Sequence, residues 1–196
     1  MATGKDNELG ADETVDEDAD YAIFRPDAAL DAFRAAGFRS TAEALFELVD
    51  NSIEAGATQV EVFAVSRIHP ETGREVIDSL AVLDNGEGMD HLTLRRSLRF
   101  GDGTRFSRSG MGRFGVGLPQ ASMNFADVSK VWSWQSQPTN AIATQLSADA
   151  IRAGERSVPA PQAERIPEAY EQFSRFGFED TGTLVVWNDL VDLSWK

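Results

Sequence analysis

Two apolar, strand-like segments with a turn between them restrict this chain most. Residues 60–65 alternate apolar and polar side chains as a strand does, and residues 80–83 form a second apolar run. Pro70 and Gly73 lie between them and supply turn chemistry. A helix with a clear start precedes the pair. Ser40-Thr41-Ala42-Glu43 is a capping box, in which the serine hydroxyl takes up a free amide while Glu43 reaches back. Ala44, Leu45, Leu48, Val49, Ser52 and Ile53 then recur at helical spacing as one stripe, and Gly56 supplies the stop. Helices mixed with hairpin-joined strands predict an α+β sandwich rather than repeated βαβ units.

The remaining layout follows the same signals. Residues 21–37 read as an entry segment and short helix, with Pro26 near its start and Gly37 past its end. Asp90 is a candidate N-cap for a helix through Leu98, and Pro119 suits the first turn of another reaching about Phe125. Strands are expected at 128–134, 141–146 and 183–187, a loop at 159–167 and a short helix at 168–176.

With 196 residues, 42% of them apolar, the chain can bury one sizeable core but not two. No run of about eighteen apolar residues occurs, and the N-terminus lacks the basic-then-apolar order of a secretory signal. The expectation is a soluble chain of the cytoplasm, or of the nucleus if eukaryotic, with no membrane partner. Cysteine is absent, and the two histidines, His69 and His91, fall in no ligand spacing, so thiolate metal sites, zinc hydrolysis and a Ser-His-Asp triad have nothing to build on.

The net charge of −14 is unevenly spread. Residues 1–20 carry eight acids against Lys5, a composition that predicts a disordered, solvated tail or one that meets a basic partner. Arg95, Arg96, Arg99, Arg105, Arg108 and Arg113 form a basic stretch interrupted by Asp102 and several glycines. Composition leaves open whether this is a solvated face or a segment that meets a polyanion. The acidic balance argues against general nucleic-acid affinity, which needs clustered Lys and Arg.

Three motifs carry chemistry. Glu47 and Asn51 lie one turn apart on the capped helix and project from the same face. Residues 80–89 are an apolar strand ending in Asp84-Asn85-Gly86-Glu87-Gly88-Met89: a carboxylate at a strand end can accept from an exocyclic amine, and the glycines let the backbone approach a flat ring. Gly112-Arg113-Phe114-Gly115-Val116-Gly117-Leu118 is neither a P-loop nor a dinucleotide fingerprint. It still exposes amides ahead of a helix N-terminus, where a phosphate chain could rest.

In this order, followed by Gly182-Thr183 entering a strand, the motifs resemble the GHKL ATPase superfamily of gyrase B, the large heat-shock chaperones, histidine kinases and MutL. The resemblance spans about residues 40–190. Glu47-Leu-Val-Asp-Asn51-Ser-Ile-Glu-Ala-Gly56 looks like MutL, whereas Ser97-Leu-Arg-Phe-Gly101, the 112–117 glycines and Ala121-Ser-Met123 look more like the MORC ATPases. It implies a Bergerat-type two-layer α/β sandwich, with a mixed, mostly antiparallel sheet and helices on one face, over residues 21–196. It also implies ATP and Mg²⁺ as ligands. Glu47 would be the general base and Asn51 the Mg²⁺ ligand. Asp84 would accept from the adenine amine, with Thr183 supporting it through water. Ala55, Gly86, Gly88 and Met89 would wall the adenine pocket. Gly112, Phe114, Gly115, Val116, Gly117 and Leu118 would offer amides to the phosphates, and residues 101–117 would form the lid, with Gly101 and Gly110 as hinges.

One departure bears on turnover. In the MutL and gyrase branches a lysine from a following domain touches the terminal phosphate, but the lysines here are Lys5, Lys130 and Lys196. The expectation is an isolated nucleotide-binding domain, weak in turnover, whose transducer or effector domain belongs to a longer parent. Nucleotide-driven lid closure and homodimerisation would gate that effector, which could be DNA-related or defence-related, with nucleic acid reached only through other domains. The alternatives are a non-catalytic interaction module, against which Glu47 and Asn51 argue, and a histidine-kinase catalytic domain, a poorer match because its phosphoacceptor helices would have to precede this domain, where an acidic tail is expected.

Overall fold

The computed structural model describes residues 26–100, 117–191 and 193. The acidic tail, most of the expected lid and the site residues Gly112, Phe114, Gly115 and Val116 lie outside the described residues. In chain order the elements are α1 (Pro26–Ala35), α2 (Thr41–Glu54), β1 (Val60–Ile68), β2 (Glu75–Asp84), α3 (His91–Ser97), α4 (Gly117–Phe125), β3 (Ala126–Trp134), β4 (Ile142–Ser147), α5 (Ala148–Arg152), β5 (Gln162–Ala163), α6 (Glu168–Glu171) and β6 (Gly182–Leu190). A 3₁₀ turn, Pro138–Asn140, joins β3 to β4. Six strands form one sheet in the order β1-β2-β6-β3-β4-β5, and every described pairing is antiparallel.

Period-2 alternation sends successive side chains to opposite faces and so creates two apolar layers. Leu80, Val82, Val131, Val185 and Trp187 point to the face covered by α1, α2, α3, α4 and α5, where Leu30, Leu48, Leu94, Met123 and Ala148 meet them. Ala81, Leu83, Trp132, Trp134, Leu184 and Val186 point the other way. There the segment around α6 closes the layer, with Tyr170 tilted against Trp132 and Phe178 edge-on to Trp134. The central strands are thus buried on both faces, which explains why 80–83 reads as continuous apolar sequence instead of an alternation.

The termini of α2 are fixed locally. Ser40 Oγ accepts from Glu43 N at 3.2 Å, and Glu43 reaches one residue past the cap to accept from Arg39 N at 3.0 Å. At the far end Gly56, at φ 77°, donates to Ile53 O and Ala57 donates to Ser52 O, the paired bonds of a Schellman stop. The expected stripe holds for Ala44, Leu45, Leu48 and Ser52, but Ile53 is 59% exposed, since it stands about 100° around the helix from Ser52, which faces Asp84. Ser40→Ala is expected to cost about 0.5–2 kcal/mol of stability. At this chain length that lowers Tm by roughly 2–4 °C per kcal/mol, checked by thermal melting.

Several expectations shift at their edges. β1, β2 and β6 run longer than 60–65, 80–83 and 183–187, since ladder hydrogen bonds carry pairing past the apolar stretches. The helix expected at 168–176 stops at Glu171, and α5 forms where Ser147 caps it by accepting from Ala150 N at 3.3 Å. Within the 159–167 loop, Gln162 and Ala163 pair with the edge of β4.

Candidate functional site

Three adjacent strands present one polar residue each at the same end of the helix-covered face. Asp84 ends β2 opposite Thr183 of β6, and Thr183 in turn lies opposite Ser133 of β3. The parity that buries Val82, Val185 and Val131 under the helices puts these three polar side chains on the same side. Thr183 Oγ1 and Ser133 Oγ are 3.0 Å apart, and Ser133 Oγ also accepts from Met89 N at 2.8 Å.

Asp84 is only 6% exposed, yet both of its oxygens are engaged. Ser52 Oγ, from α2, donates to Oδ2 at 2.8 Å, and the Gly86 amide donates to Oδ1 at 2.9 Å. A carboxylate oxygen accepts twice, so each retains room for a further donor. Burial pushes the carboxyl above its ordinary value of 3.8, partly countered by the Gly86 amide, the Ser52 hydroxyl and the Thr183 backbone.

The turn after Asp84 is fastened to the end of α2. Glu87 N donates to Ala55 O at 3.0 Å, and Asn85 Oδ1 accepts from both Thr58 N and Gln59 N at 2.9 Å. Gly86 approaches so closely that a Cβ there would lie 3.0 Å from Ala55 Cβ and from Ala55 O. Gly88 adopts φ 67°, and a Cβ there would overlap Trp134 O, so this position needs glycine for both conformation and space. Ala55 thus packs on Gly86 beside Asp84, Gly88 lies against the Trp134 backbone, and Met89 is tied to Ser133.

The second half of the site lies farther back along α2. Glu47 precedes Ala55 by eight residues, about 12 Å of helix axis. A Cβ added to Gly117, the first residue of α4, would overlap Glu47 Oε1, so the carboxylate rests against the start of that helix. The first amides of α4, at Gly117 and Leu118, have no partner within their own helix. Between the two ends sits Asn51, whose side-chain nitrogen is buried and has no hydrogen-bond partner among the described residues. The structure thus brings together Glu47, Asn51, Ala55, Asp84, Gly86, Gly88, Met89, Gly117, Leu118 and Thr183.

Ser52 and Ser133 went unread in the sequence as site residues. Ser52 counts as a helix-stripe position by period, and its tie to Asp84 spans 32 residues. A small polar residue on an otherwise apolar face was the available signal. Lys130 lies in β3 with the parity of Trp132 and Trp134, on the far side of the sheet, paired with Glu164 at 2.6 Å. It cannot reach this site.

A buried strand-end carboxylate, a glycine turn packed on a helix end, and an acid on that helix set against the start of a second helix make up the candidate site of this α+β domain. The chain belongs to the histidine kinase-, DNA gyrase B- and HSP90-like ATPases, whose family model matches residues 39–183. It is 35% identical over 82 residues to the ATPase MORC2B of Mus musculus, a match covering 41% of this chain and 8% of that relative. A crystal structure of the N-terminal domain of a DNA repair protein superposes with a TM-score of 0.51 at 18% identity, over 81% of this chain and 38% of that one, a likeness of fold. Membership of the family supports ATP binding and suggests ATPase activity. Among the described residues no helix is long and apolar enough to cross a membrane.

Proposed function

We infer that this domain binds Mg²⁺-ATP along α2 and hydrolyses it slowly. The observation that carries the reading is the engaged, 6%-exposed Asp84, which ends β2 against Ser52 of α2, together with Glu47 farther back on α2, which abuts the start of α4. Asp84 accepts from the exocyclic amine of adenine, and Thr183 supports it through a bridging water. Ala55, Gly86, Gly88 and Met89 wall the ring. The amides of Gly117 and Leu118, together with those of Gly112, Phe114, Gly115 and Val116, receive the phosphates.

Asn51 suits the metal. Mg²⁺ is bound by one or two protein oxygens together with phosphates and water, and the Asn51 carboxamide carries an oxygen of that kind, while its buried nitrogen, without a partner among the described residues, has N–H groups left for an acceptor such as phosphate. When bound, the ion neutralises charge on the phosphates. Glu47 takes the proton from the attacking water as its oxygen bonds the terminal phosphorus and the bond to the β-phosphate oxygen breaks.

Family membership supports two further elements. Residues 101–117 serve as a lid, and nucleotide binding promotes homodimerisation, which gates an effector. The match covers 8% of the mouse relative's length, which supports placing that effector in other parts of a longer protein. Titration calorimetry with ATP, with and without Mg²⁺, tests the binding, and single-turnover hydrolysis tests the chemistry. Heat without metal dependence, or none, would set the reading aside.

The raised Asp84 carboxyl predicts a pH dependence with a definite sign. Adenine requires the ionised acceptor, so affinity should fall as pH drops through the raised value, at a higher pH than for an ordinary carboxylate at 3.8. Stability moves oppositely. The folded chain holds this proton more tightly than the unfolded one, so Asp84 costs stability as pH rises from 3.8 through its folded value. ATP titrations across that range should show the affinity loss, and a loss only at the pH of exposed carboxylates would contradict it.

A further inference from the structure

A second concavity lies away from Asp84, where α1, α3 and the β4–α5 corner meet, with a volume of about 770 Å³. Its apolar floor includes Leu30, Leu98 and Ile151. Among the described residues its lining holds four arginines, Arg95, Arg96, Arg99 and Arg156, and one acid, Glu155. Arg95 is fixed in place by donating from Nε to Val158 O at 2.7 Å, which leaves its remaining N–H groups to other partners. A cationic cleft with an apolar base stands out in a chain whose net charge is −14.

We propose that this cleft binds an acidic peptide segment, and that its occupant is residues 1–20 of the same chain. Charge is the first argument: that segment carries eight acids and one lysine, opposite in sign to the cleft walls. Reach is the second. The segment joins α1 at Pro26, and Ala29, less than one turn farther on, already lines the cleft. The residues between Asp20 and Pro26 span up to roughly 20 Å when extended. Tethering is the third. A short linker holds its end at an effective concentration in the millimolar range, so weak ion pairs suffice to keep the cleft filled. Docking would also screen the arginines from other polyanions.

The absence of cysteine allows a clean test on the full chain. Ala11→Cys is labelled with a nitroxide, and paramagnetic relaxation of the backbone amides is read by NMR. The expected result at low salt is enhanced relaxation at Ala150, Ile151 and Ser157. It should disappear at about 1 M salt, where the screening length falls to about 3 Å. It should disappear as well in Arg99→Glu/Arg156→Glu, while Arg74→Glu, on the β1–β2 hairpin, keeps it. Mixing spin-labelled chain with isotope-labelled, spin-free chain should give no enhancement, since the contact is within one molecule. Enhancement in that mixture would assign the cleft to a second copy and overturn the proposal. So would relaxation spread evenly over the surface, absent at low salt, or unchanged by the double charge reversal.

Discussion

Asp84→Asn is expected to remove detectable ATP binding while leaving the fold intact. Ser52 Oγ and the Gly86 amide both donate to the carboxylate, and the amine of adenine would be a third donor. An asparagine turns one of the two accepting atoms into a donor, so at least one N–H faces another. A mispaired buried polar group costs about 1–3 kcal/mol, and more where one partner was charged, which is on the order of a 10²-fold loss or beyond. The fold should not suffer, because the variant removes a carboxylate whose burial disfavours its charge. Calorimetry should show no ATP heat alongside an unchanged or slightly raised Tm. GTP should bind poorly to the unsubstituted chain, since guanine carries a carbonyl where adenine carries the amine. Retained ATP affinity in the variant would remove the central assignment.

Glu47→Ala is expected to separate chemistry from binding. A general base acts in the transition state and adds little to ground-state affinity, so Mg²⁺-ATP should bind nearly as before. Single-turnover hydrolysis should fall by roughly 10²–10⁴-fold, the usual worth of positioned proton transfer. Asn51→Ala should behave differently and weaken the Mg²⁺-dependent part of binding. In a full-length parent, Glu47→Ala should accumulate the ATP-bound dimer, visible by light scattering. Hydrolysis at the unsubstituted rate, or an affinity loss as severe as that of Asn51→Ala, would overturn the assignment of the base.

The two variants probe opposite ends of the site, and the sequence made those ends unequally legible. The Asp84 end could be read almost whole. Strand, carboxylate and two glycines are contiguous, and a turn's conformation is set by its own residues, as φ 67° at Gly88 illustrates. Glu47 and Asn51 share a face through helix geometry alone. The meeting of Glu47 with Gly117 is of another kind, since it depends on how α2 and α4 pack and no local pattern encodes that approach. Sequence placed the start of α4 near Leu118, and the helix begins one residue earlier.

What the sequence determined by itself is whatever depends on near neighbours: the Ser40 cap, the Gly56 stop, the helical face of Glu47 and Asn51, and the turn after Asp84. The α+β class followed as well, because hydrophobic period is a local property. Tertiary structure decided what depends on register between distant strands. It set Asp84, Thr183 and Ser133 in one row, gave Ser52 its carboxylate, and carried Lys130 to the opposite face. It also left Ile53 in solvent and brought four arginines to a cleft beside α1. The reason is physical. Side-chain direction in a strand reverses with every residue, so a one-residue change of pairing would move each of these groups to the other face, and only the packed sheet fixes that choice.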